Sequence, residues 1–179
     1  MKKSLLSLFF FIAVTAIYGQ TEKGDWMVGG NFRLNTSDNN TQIAFTPMAG
    51  GFVINSLAIG GNLIFDYSKL GNIKRTDFGI GPFVRYYFTK ANVRPILHGN
   101  LNFLSSRNKT PVDTDTENGT SYFLGGGAAI FISEQVSIDG VMGYYHAKYA
   151  DFDGSGGFAL TVGFQVYILK RQMDKVRGR

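Results

Sequence analysis

The stretch GFALTVGFQVYILK, residues 157–170, decides how this chain is read. Phe158, Leu160, Val162, Phe164, Val166 and Ile168 alternate with Ala159, Thr161, Gly163, Gln165 and Tyr167, the period of two that belongs to a strand. One face is purely apolar. The other is small and neutral, without Lys or Glu, so neither face is built for bulk water.

The same alternation extends over the chain. Eight strands are predicted, roughly over residues 24–35, 41–54, 57–68, 75–88, 93–106, 120–132, 136–149 and 156–169, and no helical period is sustained between them. Tight turns are expected at Asn55-Ser56, Thr89–Asn92 and Ser133–Gln135, and longer polar loops at NTSDNN, KLGNIK, RNKTPVDTDTENGT and DFDGSGG. An even number of antiparallel strands, with short turns at one end and longer loops at the other, is the layout of an outer-membrane barrel. The predicted class is therefore an all-β, eight-stranded antiparallel up-and-down transmembrane barrel.

Composition agrees with a chain that has little surface in water. Of 179 residues, 44% are hydrophobic, 15% aromatic and only 17% charged, against roughly 25–35% charged residues on a soluble domain's surface. With no cysteine, disulfides, thiolate metal sites and Cys nucleophiles are excluded. The N-terminus, MKKSLLSLFFFIAVTAIYGQ, has a basic start and a short apolar run followed by Gly19. It reads as a cleavable signal peptide over residues 1–19. Cleavage removes two lysines and lowers the formal charge from +5 to 5 − 2 = +3. No basic stripe interleaved with aromatics suggests a nucleic-acid partner.

Parity sorts the residues into two surfaces. The apolar parity runs without a charge through the strands until His146 and Lys148. Its aromatics gather at the two ends: Phe32, Phe45, Phe65, Tyr67, Phe78, Phe103, Tyr122, Tyr144 and Phe158 towards the long loops, and Trp26, Tyr86 and Phe88 towards the short turns. Such girdles mark membrane interfaces. A soluble barrel would carry Lys and Glu in mid-strand on the face turned to water, and this chain does not. The opposite parity holds Arg33, Asp66, Asp77, Arg85, Arg94, His98 and Asp139 together with Asn31, Asn62, Asn100, Asn102 and Gln165. Buried charges persist only when paired, so a packed polar interior is expected, in which Arg33, Arg85 and Arg94 oppose Asp66, Asp77 and Asp139. Eight strands enclose little more than their own side chains, which argues against a wide pore.

Over residues 20–170 the chain resembles the OmpA/OmpX-type small eight-stranded outer-membrane barrels. In the last strand, Thr161, Gly163, Val166 and Ile168 resemble the polar-x-Gly-x-x-hydrophobic-x-hydrophobic signal read by the barrel assembly machinery. The chain departs from the usual aromatic terminus by running on through KRQMDKVRGR. The resemblance implies an outer-membrane location, periplasmic termini and short turns, and outward loops. It also implies a monomer surrounded by outer-membrane lipids and lipopolysaccharide. The domain reading is a signal peptide over 1–19, a barrel over 20–170 and a basic periplasmic tail over 171–179, the tail expected to lack fixed structure.

Catalytic and metal-binding patterns are weak. His98 reads as a hydrogen-bonded interior histidine. His146 sits where lipid A deacylases of similar architecture keep a His with a Ser two residues on, but that position is Lys148, leaving no hydroxyl nucleophile for the base. DFDGSG, from Asp151, begins like an EF-hand loop but has Val162 where the bidentate Glu belongs. Asp113, Asp115 and Glu117 alternate in what reads as the longest loop, residues 107–119, the segment expected to recognise any extracellular or periplasmic protein partner. No cofactor is expected. The functional expectation is a structural or surface-interaction role; the alternatives are a lipid-modifying enzyme, such as a lipid A deacylase or acyltransferase, and a small gated conduit.

Overall fold

Eight alternating segments in series make a sheet with two open edges, and the computed structural model removes both by closing it. The structure describes residues 21–37, 40–70, 73–109, 114–150 and 154–176; the expected signal peptide lies outside them. The strands are β1 (Trp26–Ser37), β2 (Asn40–Ile54), β3 (Leu57–Leu70), β4 (Ile73–Tyr87), β5 (Val93–Lys109), β6 (Thr114–Ser133), β7 (Val136–Tyr149) and β8 (Ser155–Ile168), followed by a helix α1 (Lys170–Val176). Each strand pairs antiparallel with its neighbour in sequence, and β8 returns to β1 with Trp26 opposite Ile168 and Phe32 opposite Val162. Closure leaves no unpaired edge.

The two parities separate as the sequence predicts. Side chains of the apolar set face outwards: Phe158 is 82% exposed, Leu160 67% and Met142 64%, values that in water would be an unusually large apolar patch. Both aromatic girdles are on the outer wall. Phe65 packs edge-on against Phe78 at 5.2 Å and Tyr144 against Phe158 at 5.7 Å at one end, and Tyr86 against Phe88 at 4.9 Å at the other.

Glycines let walls approach where a side chain would not fit. Gly143 lies opposite Gly125, and a Cβ on Gly143 would run into the Gly125 Cα and the Leu124 carbonyl; Gly60 opposite Gly50 is equally tight. In the β2–β3 turn Ser56 holds a positive φ of 68°. Its conformation is fixed from both sides, its N–H donating to the Thr21 carbonyl at 2.7 Å and its carbonyl accepting from Tyr87 N–H at 2.9 Å.

Three expectations need correction. The polar segments at the far end are mostly strand: β5 runs to Lys109 and β6 begins at Thr114, with Arg107 opposite Thr116. Residues 107–109 and 114–119 are therefore the two walls of a hairpin rather than a loop. Beyond the membrane neither face of a strand needs to be apolar, so alternation of hydrophobicity no longer marks it. The interior is also not polar throughout, as described below. Finally, the tail has structure over 170–176: Lys170 N–H donates to Asp25 Oδ1 at 2.8 Å, Gln135 Nε2 donates to Gln172 Oε1 at 2.8 Å, and Leu169 is 1% exposed. The tail reads as solvated by composition, but the barrel mouth supplies partners for it.

Candidate functional site

Among the described residues, the lumen gathers the polar and charged groups held away from both lipid and water. It is layered along the barrel axis. At the end carrying both termini, Phe52 from β2, Tyr87 from β4, Phe131 from β6 and Tyr167 from β8 meet in a buried cluster with Met27 and Ile96. Phe131 lies 4.9 Å from Tyr167, and Phe52 5.8 Å from Tyr87. These residues alternate on the lumen parity like the polar ones. Their position was visible in the sequence, but not that four aromatics from different strands would converge into a floor.

Arg94 seals this floor from beneath. Its guanidinium sits 4.1 Å over the Phe131 ring, donates from Nη1 to Thr21 Oγ1 at 3.0 Å and from Nε to the Ala91 carbonyl at 2.9 Å. The stem and plane of an arginine suit such stacking. Among the described residues, Arg94 makes these contacts and not the expected pairing with Asp66, Asp77 or Asp139, because β5 begins at Val93 and places Arg94 below the aromatic layer.

Above the floor, Arg85 and Asp139 form an ion pair through Nη1 and Oδ2, at 0% and 1% exposure. Asp139 Oδ1 also accepts from Ser137 Oγ at 2.6 Å. Because Ser137 has a single hydroxyl proton, the 3.1 Å contact between Tyr167 and Ser137 must be donated by Tyr167. The 2.9 Å contact between the two tyrosines is then donated by Tyr87, whose other acceptor, Met27 Sδ at 3.9 Å, is the weaker one. Three hydroxyl protons thus point in series towards one carboxylate, whose charge Arg85 balances. Arg85 Nε approaches His98 Nδ1 at 3.4 Å, and His98 Nε2 is 3.4 Å from Asn100. An amide ladder continues the layer: Asn62 Nδ2 donates to Asn102 Oδ1 at 2.7 Å and Asn102 Nδ2 to Asn100 Oδ1 at 2.9 Å.

The far half of the lumen opens into a cavity of about 860 Å³, whose lining runs from His98 and Asn102 up to Asn108, Glu117 and Ser155. Here Asp77 pairs with Arg75, Nε to Oδ1 at 3.0 Å, and the Arg75 guanidinium lies 4.6 Å from the Tyr149 ring centroid. Asp66 accepts from Gln42 Nε2 at 2.9 Å. Five of the six charges expected to oppose one another in the interior are therefore distributed over three levels. Arg85 and Asp139 pair as opposed charges, Asp77 takes its neighbour Arg75, and the side chain of Arg33 lies outside the described residues. Arg75 shares the lumen parity with Asp77, so the sequence did contain the signal for that pair.

The remaining candidates occupy other places. His146 is half-buried on the outer rim and stacks on Tyr122 at 5.5 Å. Asp113 and residues 151–153 lie outside the described residues, while Asp115 and Glu117 share the lumen parity of β6. In β8, Thr161 Oγ1 donates to the Val141 carbonyl at 3.3 Å and Gly163 leaves room for Asn31 Oδ1. Val166 and Ile168 face outwards opposite Val28 and Trp26.

A closed eight-stranded meander, an outward apolar belt between aromatic girdles and a lumen packed across one half define a small transmembrane β-barrel of the outer-membrane type. Solved structures of that class are similar to it. Neisserial surface protein A matches with a TM-score of 0.59 at 17% identity, over 79% of this chain and 94% of that one. The N-terminal β-barrel domain of Pseudomonas aeruginosa OprF matches with a TM-score of 0.56 at 11% identity, over 82% and 98%. Ail, the attachment invasion locus protein of Yersinia pestis, matches with a TM-score of 0.52 at 11% identity, over 82% and 99%. At these identities the likeness is one of fold. No protein-family model matches the chain, and no curated protein does.

Proposed function

We propose that this chain is an integral protein of the bacterial outer membrane, monomeric, with both termini and the aromatic floor on the periplasmic side. It works through its outer surface and its mechanical presence in the envelope rather than through transport or catalysis. The observation that carries this reading is the division of the barrel into a sealed half and a projecting half. Arg85, Asp139, Tyr87 and Tyr167 are all at 0–1% exposure, which supports a lumen without a through-passage. A membrane strand needs about 9–11 residues, whereas β5 has 17 and β6 has 20. The strands therefore exceed that span by about six to eight and nine to eleven residues, and their paired ends stand clear of the lipid, a better-ordered platform for a partner than a loop. Thr161, Gly163, Val166 and Ile168 are proposed as the signal by which the assembly machinery receives the last strand.

The test replaces residues 108–115 with Asn-Gly, a two-residue turn that suits a hairpin, joining Arg107 to Thr116 where they already pair. The shortened barrel should still migrate differently on a gel before and after boiling, and neither it nor the full chain should conduct in a planar bilayer. It should fail to restore surface adhesion or envelope integrity in a deletion strain that the full chain restores. Full complementation by the shortened hairpin would overturn the surface reading; sustained conductance by the full chain would overturn the sealed lumen.

A further inference from the structure

On the outward parity, the hairpin end sorts charge by sign. Lys69 on β3, Lys74 on β4 and Lys109 on β5 are exposed and occupy one ladder row, Lys69 opposite Lys74 and Lys74 opposite Lys109. Arg107, also exposed, lies on the same face two residues along β5. Directly opposed side chains have Cβ atoms about 4.5–5.5 Å apart, and like charges so placed repel. None of the four pairs with a described carboxylate; the ion pairs among the described residues are Arg75–Asp77, Arg85–Asp139, Lys90–Glu22 and Arg171–Glu134. The carboxylates described at this end, Asp66, Asp77, Asp115 and Glu117, share the lumen parity. A row of like charges kept on the wall, with the neutralising groups turned inwards, calls for an anion from outside.

The slope of the row indicates which anion. Lys69 stands two residues past Tyr67, Lys74 four past Phe78 and Lys109 six past Phe103, the last aromatics of the belt on their strands. At about 3.4 Å per residue on strands tilted by about 40°, the row starts about 5 Å beyond the hydrocarbon edge, and two strand spacings of about 4.8 Å at that tilt carry it to about 11 Å. A phospholipid headgroup layer is only about 5–8 Å thick and reaches the first member. A ligand that meets all three must spread several anionic groups along about 10 Å of the wall and reach outwards past the phospholipid headgroups, as a phosphorylated sugar headgroup does.

We propose that Lys69, Lys74 and Lys109, flanked by Arg107, form a site on the outer wall of the barrel for a phosphorylated glycolipid of the outer leaflet. The proposal rests on the outer-membrane reading above. The full chain, extracted from membranes, is reconstituted in phosphatidylcholine nanodiscs containing diphosphoryl lipid A, dephosphorylated lipid A or phosphatidylglycerol, and retained lipid is weighed by native mass spectrometry. Diphosphoryl lipid A should be retained over the other two. At about 1 kcal/mol per basic residue near an anionic surface, K69Q should weaken retention about fivefold, and K69Q/K74Q/K109Q on the order of a hundredfold. K69R/K74R/K109R should preserve it, and so should K23Q/K90Q/R171Q, which removes equal charge at the other rim. Equal retention by wild type and the triple Gln variant would overturn the site. So would phosphatidylglycerol held as firmly as diphosphoryl lipid A and displaced by inorganic phosphate. Failure of the wild type to insert, seen as no boiling-dependent gel shift, would instead overturn the membrane reading.

Discussion

Replacing Asp139 with Leu isolates the energetics of the lumen. In the wild type the Arg85 guanidinium is fully buried, pairs with Asp139 through Nη1 and reaches His98 through Nε at a long 3.4 Å. With Leu at position 139 the positive charge has no counter-charge at its own level, since the next carboxylates, Asp66 and Asp77, already accept from Gln42 and Arg75. Removing one partner of a buried pair costs about 3–5 kcal/mol, a shift of roughly two to three and a half decades in the unfolding equilibrium at about 1.4 kcal/mol per decade. Removing both charges together, as in Arg85→Met with Asp139→Leu, should bring stability back to within about 1 kcal/mol of wild type or above it, because the desolvation of both ions is relieved. Trp26, the single tryptophan, lies in the girdle at the terminal end and is 49% exposed to lipid. It therefore reports unfolding by denaturant in phospholipid vesicles. If Asp139→Leu alone costs less than about 1 kcal/mol, or the double variant is no better than the single, the charge-pair account of the lumen is wrong.

The tight glycine contacts make a paired prediction. Gly60→Ala should cost about 1–3 kcal/mol by overpacking, because its Cβ meets the Gly50 and Ala49 backbone, whereas Gly140→Ala, with nothing within 4 Å, should stay within about 0.5 kcal/mol of wild type; the same denaturant titration separates them. Tyr167→Phe removes the hydroxyl between Tyr87 at 2.9 Å and Ser137 at 3.1 Å and should cost about 1–2 kcal/mol without altering gel migration. A neutral result would show that the hydroxyl series does not stabilise the floor.

The structure was legible in the sequence wherever one face of a strand meets lipid. There the physical demand is uniform: outward residues must be apolar and inward ones must not disturb a narrow lumen, so alternation reports strand and face together. Trp26, Phe65 and Phe158 could be assigned to girdles from their place in that alternation alone. Legibility ends where the demand ends. Past the membrane Arg107, Lys109 and Thr116 are still hydrogen-bonded strand, but water accepts any side chain on either face, so the pattern disappears while the structure continues.

By itself the sequence determined the fold class, the eight strands and the side of the wall on which each mid-strand charge sits, because those follow from the period of two and the solvent each face sees. Partners across the lumen were decided only by the tertiary structure. Which aspartate Arg85 meets, why Arg94 stacks on Phe131 instead, and how Phe52, Tyr87 and Tyr167 close the floor depend on the stagger with which the strands join around the barrel. The row of Lys69, Lys74 and Lys109 has the same origin: three lysines from three strands become one surface only when the ladder brings them opposite one another. Stagger is set by the closing of the whole sheet, a constraint that no single segment of the chain contains.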